Sequence, residues 1–152
     1  KAHEKKMKIV LNPSPMNEKV TALPLDFVDY FMLNEVEAGQ ILGRAVQDGY
    51  DGEALASALL ARFPDAAVVL TLGGDGSVYM DREKTIRQPV YKVKAVDTTA
   101  AGDTFTGFFI GGIMNGVTVN EAMDQAPRAA AAAVTRQGAA PSIPLLEEVK
   151  QF

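Results

Sequence analysis

Asp103 follows a run of small residues, Ala100-Ala101-Gly102, and precedes an apolar stretch with helical spacing. Phe105, Phe108, Phe109, Gly112 and Ile113 fall at i, i+3, i+4, i+7 and i+8, one buried face of a helix starting near Gly102. The first amides of a helix have no partners within it, so they point outward as an anion site. Asp103 then stands in the first turn, beside any anion bound there. A carboxylate is a poor ligand for an anion but a sensible base for a group about to react with one. On this string alone the ordinary alternative stays open: an acid that complements the helix dipole.

Three other clusters could carry chemistry. Thr71-Leu72-Gly73-Gly74-Asp75-Gly76 places three glycines in a turn between strands, where backbone N–H groups can approach phosphate or ribose. A plain hairpin turn explains the same residues. Asn34 and Glu37 stand at a strand end and a helix start, either as a capping box or as polar groups near a hydrated Mg²⁺–phosphate cluster. Thr135-Arg136-Gln137-Gly138-Ala139-Ala140-Pro141-Ser142 offers carbonyl oxygens and one hydroxyl that could ring a monovalent cation alongside Asp97, or is simply a loop. His3 sits near the terminus with no partner pattern.

These groups need elements to hold them. Residues 8–12 read as a buried strand running into Asn12-Pro13-Ser14-Pro15. Phe27 to Leu33 is a second apolar run ending at Asn34, and Glu35 to Leu42 a helix with Gly43 as its C-cap. Asp51-Gly52 opens a helix through Leu55, Leu59 and Phe63. Ala67 to Leu72 and Ser77 to Met80 are strands on either side of the glycine turn, and 84–96 holds short extended pieces interrupted by Pro89. Thr118 and Glu121 have capping-box spacing for a helix through Ala129 to Val134, ended by Gly138 and Pro141. Pro127 lies inside it, where a kink or break is expected. Leu145 to Phe152 forms a last short helix. Alternating strands and helices imply an α/β fold, an open and mostly parallel sheet with helices on both faces.

Composition narrows the function classes. The 152 residues are one domain's worth, with 47% hydrophobic and 22% charged residues, ordinary for a globular protein. A net charge of −4 leaves no basic face for nucleic acid. The absence of cysteine excludes a disulfide scaffold and thiolate metal sites. No apolar run reaches about 18 residues, so no membrane partner is expected and the cytoplasm is the default location. The start, Lys1-Ala2-His3-Glu4-Lys5-Lys6, lacks a Met and leads directly into an apolar strand. That suggests missing upstream sequence, or a processed or engineered terminus. An upstream loss would leave the first strand as an unpaired edge.

The order of the motifs is more specific than any one of them. Asn-Pro-Ser-Pro, Asn-x-x-Glu, Thr-Leu-Gly-x-x-Gly, Asp-Thr-Thr-Ala-Ala-Gly-Asp-Thr-Phe and Val-Thr-Arg-x-Gly-Ala-x-Pro-Ser together resemble the ribokinase-like (PfkB) sugar kinases. The closing motif looks most like the ribokinase branch. The resemblance covers residues 1–152 as the C-terminal nucleotide-binding and catalytic portion, without the N-terminal part and its lid.

The resemblance implies ATP-dependent phosphorylation of a sugar hydroxyl, ribose first, with ATP, Mg²⁺ and K⁺. Asp103 matches the catalytic base, and the amides of Ala100, Ala101, Gly102 and Asp103 match the anion hole. Asn34, Thr71, Leu72, Gly73, Gly74, Asp75, Gly76 and Gly102 match nucleotide-contacting positions. Glu37 matches the acid that organises Mg²⁺ through water. Asp97, Thr99, Ala133, Arg136, Gly138 and Ser142 match the potassium loop, with Asp97 and Ser142 using their side chains. Ala100 stands where the family's commonest string has Gly, which keeps the amide provided φ is negative. Pro127 replaces a polar or imidazole side chain near adenine. A homodimer is expected of the full-length enzyme. The alternatives are a non-catalytic nucleotide-binding fragment, or a kinase for fructose, a keto-deoxy sugar acid or a nucleoside.

Overall fold

Apolar segments and helix caps between Val10 and Gln88 assemble a five-stranded sheet, seen in a computed structural model that describes residues 1–45 and 51–152. The chain divides into two compact units, 1–73 with 77–87 and 74–76 with 88–152.

In the first unit the strands lie in sequence order: β1 (Val10–Leu11), β2 (Tyr30–Asn34), β3 (Ala67–Thr71), β4 (Ser77–Met80) and β5 (Thr85–Gln88). β1 and β3 run parallel to β2, and β4 runs antiparallel to β3. The sheet is open and mostly parallel, as its alternation with helices implied. Strand residues 8–12 shrink to two, Val10–Leu11, and Pro13, with no N–H, bars extension past Asn12. The Ile9 carbonyl still accepts from the amides of Asp29 (2.8 Å) and Tyr30 (3.1 Å). The apolar run at Phe27 also starts differently: Leu25–Phe27 is a 3₁₀ turn, and the strand begins at Tyr30.

Side-chain alternation sends Phe31, Leu33, Val68, Leu70 and Val78 into one core with Ala38, Ile41, Leu55, Leu59 and Phe63. Full burial of such side chains contributes roughly 1.5–3 kcal/mol each. The partners come from α2 (Glu35–Ile41) and α3 (Gly52–Arg62), which pack against each other and against the strands. Asp51 caps α3 by accepting from the Glu53 amide at 3.0 Å, and Phe63 ends it before Pro64. Leu42, rather than Gly43, is the C-cap of α2; Gly43 follows with φ +70°.

The second unit is helical: α4 (Ala101–Met114), α5 (Val119–Val134), a 3₁₀ turn (Ala140–Ser142) and α6 (Leu146–Gln151). Thr118 and Glu121 form the reciprocal capping box read from their spacing. The break expected at Pro127 is absent: α5 is one continuous helix and the ring is buried. Burying that apolar ring, with Ala126 and Ala129 beside it in sequence also buried, offsets the one lost N–H bond. On α4, Phe105 and Phe109 are buried as the periodicity indicated, whereas Phe108, Gly112 and Ile113 are half-buried and Thr104 joins the buried set. Among the described residues no helix is long and apolar enough to cross a membrane.

Candidate active site

The start of α4 has no side-chain cap. Ala100 is its N-cap residue, with φ −100° and ψ 6°, so the negative φ needed for alanine at that position is present. The Ala100 carbonyl accepts the first helical bond, from the Thr104 amide at 2.9 Å, and the Ala101 amide is turned back to the Thr98 carbonyl at 3.2 Å. One of the four amides expected in the anion hole is therefore already engaged. Ala100 is buried, but Gly102 and Asp103 are exposed in the first turn, and a Cβ at Gly102 would meet nothing within 4 Å. The helix N-terminus thus carries a positive end, open space and an ionisable carboxylate side by side.

Asp97 ties the segment before α4 to the loop after α5. One carboxylate oxygen accepts from the Thr99 amide (3.0 Å) and hydroxyl (2.6 Å), and the other from the Gly138 amide at 3.0 Å. The amides of Val96 (2.7 Å) and Asp97 (3.2 Å) add bonds to the Val134 carbonyl. The structure therefore brings Asp97, Thr99 and Gly138 together. The Ser142 hydroxyl donates to the Ala139 carbonyl at 2.7 Å, and the Ala133 carbonyl accepts from the Arg136 amide at 3.0 Å. The Arg136 side chain turns to Glu148 at 2.6 Å.

Hydrogen bonds from the Thr99 hydroxyl, the Thr99 amide and the Gly138 amide, in that order, hold the Asp97 carboxyl below its ordinary 3.8. A depressed acid stabilises the fold above its unfolded value and loses that contribution as pH falls through the folded one. Asp97→Asn is expected to flatten the wild-type stability profile below about pH 3.8 and to leave its slope near neutrality unchanged. Chemical denaturation across pH 2–7 checks this, roughly spanning the carboxylate range. An identical slope in both proteins below pH 4 would refute the assignment, since other carboxylates cancel in the difference.

In the first unit, Asn34 and Glu37 cap α2 reciprocally, at 2.9 Å in both directions. Glu37 is 6% exposed, and one of its oxygens, Oε2, takes the Asn34 amide. Asn34 pairs with Thr71 across β2 and β3, and Thr71 with Ser77 across β3 and β4. Three polar side chains thus share a row at the carboxyl ends of the parallel strands, the end where open α/β sheets take ligands. The 3₁₀ turn Gly73–Asp75 follows β3, and Cβ atoms at Gly73 and Gly74 would meet open space.

Some functional candidates carried no sequence signal. The hydroxyls of Ser77 (4% exposed) and Thr104 (2%) are buried without hydrogen-bond partners. Each directly follows a predicted site residue, Gly76 or Asp103. Burial that leaves a hydroxyl unpaired marks a place for water or ligand, and burial is a tertiary property. The segment before Asp97 is pinned by another such contact: the Tyr91 hydroxyl donates to Asp124 (2.8 Å) and accepts from Arg128 (3.1 Å).

The donor sets bear on what each place can hold. Asp97 carries one negative charge, and both of its oxygens already accept, from Thr99 and from Gly138. Among the described residues no group of three or more His, Cys, Asp or Glu could hold a metal ion, so a Mg²⁺ here would rely on phosphate and water.

Comparisons with known proteins bear on the family and the fold. A family described as pfkB family carbohydrate kinase matches residues 1–146. The chain is 37% identical over 156 residues to a ribokinase from Schizosaccharomyces pombe, covering 97% of this chain and 47% of that protein. A crystal structure of ribokinase from Cryptococcus neoformans in complex with ADP superposes with TM-score 0.84 and 26% identity, over 97% of this chain and 51% of that one. A structure of Arabidopsis thaliana ribokinase complexed with ribose and ATP gives TM-score 0.73 and 31% identity, over 84% and 41%. The chain spans about half the length of the relatives it matches.

Proposed function

The chain belongs to the pfkB family of carbohydrate kinases, and from that we propose that it is the nucleotide-binding and catalytic portion of an ATP-dependent sugar kinase, with ribose as first substrate. The supporting observation is the uncapped, open start of α4 with Asp103 in its first turn. In this reading the Asp103 carboxylate accepts the proton of a sugar hydroxyl as that oxygen forms its bond to the γ-phosphorus. The bond from the γ-phosphorus to the bridging oxygen breaks, and ADP leaves. Phosphoryl transfer asks the protein for position and charge stabilisation, and the first-turn amides of Gly102 and Asp103 supply it at the transferring group.

Asn34, Thr71 and the Gly73–Gly76 turn take the nucleotide. Glu37 keeps an oxygen beyond its cap bond and would order water around a Mg²⁺, were one bound with the nucleotide. Mg²⁺, when bound, neutralises charge on the β- and γ-phosphates. Asp97 with the 133–142 loop would hold K⁺, whose charge would reinforce the Asp97 bonds to Thr99 and Gly138 that tie the segment before α4. Relatives named ribokinase support ribose.

The complete protein, assayed with ATP against ribose, deoxyribose, fructose, a keto-deoxy sugar acid and a nucleoside, is expected to phosphorylate ribose with the highest kcat/KM, faster in KCl than in NaCl. Higher kcat/KM on another sugar replaces the substrate. Equal rates in both salts remove the cation. ATP binding without phosphorylation of any sugar leaves a nucleotide-binding module instead.

A further inference from the structure

We propose that Glu148 is a positioning residue for the cation loop: it holds the Arg136 guanidinium away from the loop's carbonyl oxygens and neutralises it there. The inference rests on the reading that this loop and Asp97 take a monovalent cation. It adds a residue from α6, outside the loop.

Arg136 is the one residue of the candidate set whose side chain carries positive charge, and it follows the end of α5 by two positions. Its carbonyl belongs to the candidate cage, while its guanidinium is a cation that could itself fold onto those oxygens. The structure sends it elsewhere. Arg136 Nη2 donates to Glu148 Oε1 at 2.6 Å, and Nη1 reaches Oε2 at 3.5 Å. Glu148 is not a free surface acid. Its Oε2 also accepts from the Leu145 amide at 2.7 Å, which locks the side chain onto the first turn of α6. The next residue, Val149, is 1% exposed and anchors that helix, which packs on α5. The Leu145 bond therefore fixes the acceptor, although the pair itself lies at the surface, with the Arg136 and Glu148 side chains 39% and 44% exposed. Arg136 beside Glu148 also holds that carboxyl below its usual range.

Without the carboxylate, the guanidinium is unneutralised next to a site for another cation. Like charge then opposes K⁺, and the fork is free to compete for the carbonyls. Glu148→Gln isolates this effect, since glutamine still accepts the Leu145 amide in a capping role. Adding Arg136→Gln removes the competing charge while leaving the Arg136 carbonyl, a main-chain atom, in place.

The measurement is the thermal midpoint of the protein titrated with KCl at constant ionic strength made up with NaCl, a readout independent of turnover. E148Q is expected to raise the half-saturating K⁺ concentration about fivefold, and R136Q/E148Q to return within about twofold of wild type. E147Q, which removes the exposed partner of Lys150 on the same helix, is expected to match wild type. A K⁺ response in E148Q equal to wild type overturns the inference. So does a double variant as impaired as E148Q, because the effect would then not pass through Arg136. A wild-type protein with no K⁺ response overturns the cation reading itself, which the variants alone would not.

Discussion

Asp103→Asn is expected to lower kcat of the complete kinase by about three orders of magnitude, with ATP affinity changed by less than about twofold. Asparagine has nearly the same shape and remains in the first turn of α4, whose amides and N-cap carbonyl belong to the main chain. Losing an acid near a helix start removes about 0.3–1 kcal/mol, too little to unfold the helix. What asparagine cannot do is accept a proton. An effect confined to kcat, with binding preserved, is the signature of a group used only in the transition state. Steady-state kinetics with saturating ATP and sugar reads the first quantity, and calorimetry the second. A loss of ATP binding equal to the loss of kcat would make Asp103 a structural residue of the phosphate site.

Gly76→Ala is expected to destabilise the protein by about 3 kcal/mol or more, the largest stability effect of any single methyl group in the glycine turn. Gly76 has φ +93°, a conformation that disfavours a side chain. A Cβ there would also lie on the Gln88 carbonyl oxygen and 3.0 Å from Pro89 Cα. Those are backbone atoms that cannot rotate aside. Gly74→Ala, where a Cβ meets nothing within 4 Å, is expected to change stability by less than about 0.5 kcal/mol. Urea denaturation of the two variants compares a close backbone approach with an open turn. Equal midpoints would show that the turn relaxes around Gly76 and that its glycine serves something other than fit.

Local chemistry made much of this legible. Asn34 and Glu37, three residues apart, announce a capping box, and the structure contains both of its bonds. The start of α4 was readable because Phe105 and Phe109 mark its buried face, which fixes the first turn at Asp103. Alternating apolar runs announced the parallel sheet. Pro127 misled because a propensity is local, whereas the burial of its ring and of Ala126 and Ala129 that outweighs it is tertiary. Glu148 was invisible for a related reason: its partner lies twelve residues away across a turn, and no spacing rule joins them. The unpaired hydroxyls of Ser77 and Thr104 depend on what surrounds them, which sequence patterns do not encode.

In the proposed mechanism the open N-terminus of α4 receives the transferring phosphoryl group while Asp103 takes the sugar proton. A single-turnover experiment with γ-labelled ATP and ribose, run on the complete wild-type kinase and its Asp103→Asn form with both substrates bound, tests it most directly. Label should pass to the sugar in the wild type and remain on ATP in the variant over the same interval. Transfer by Asp103→Asn at a rate near wild type would rule out Asp103 as the base.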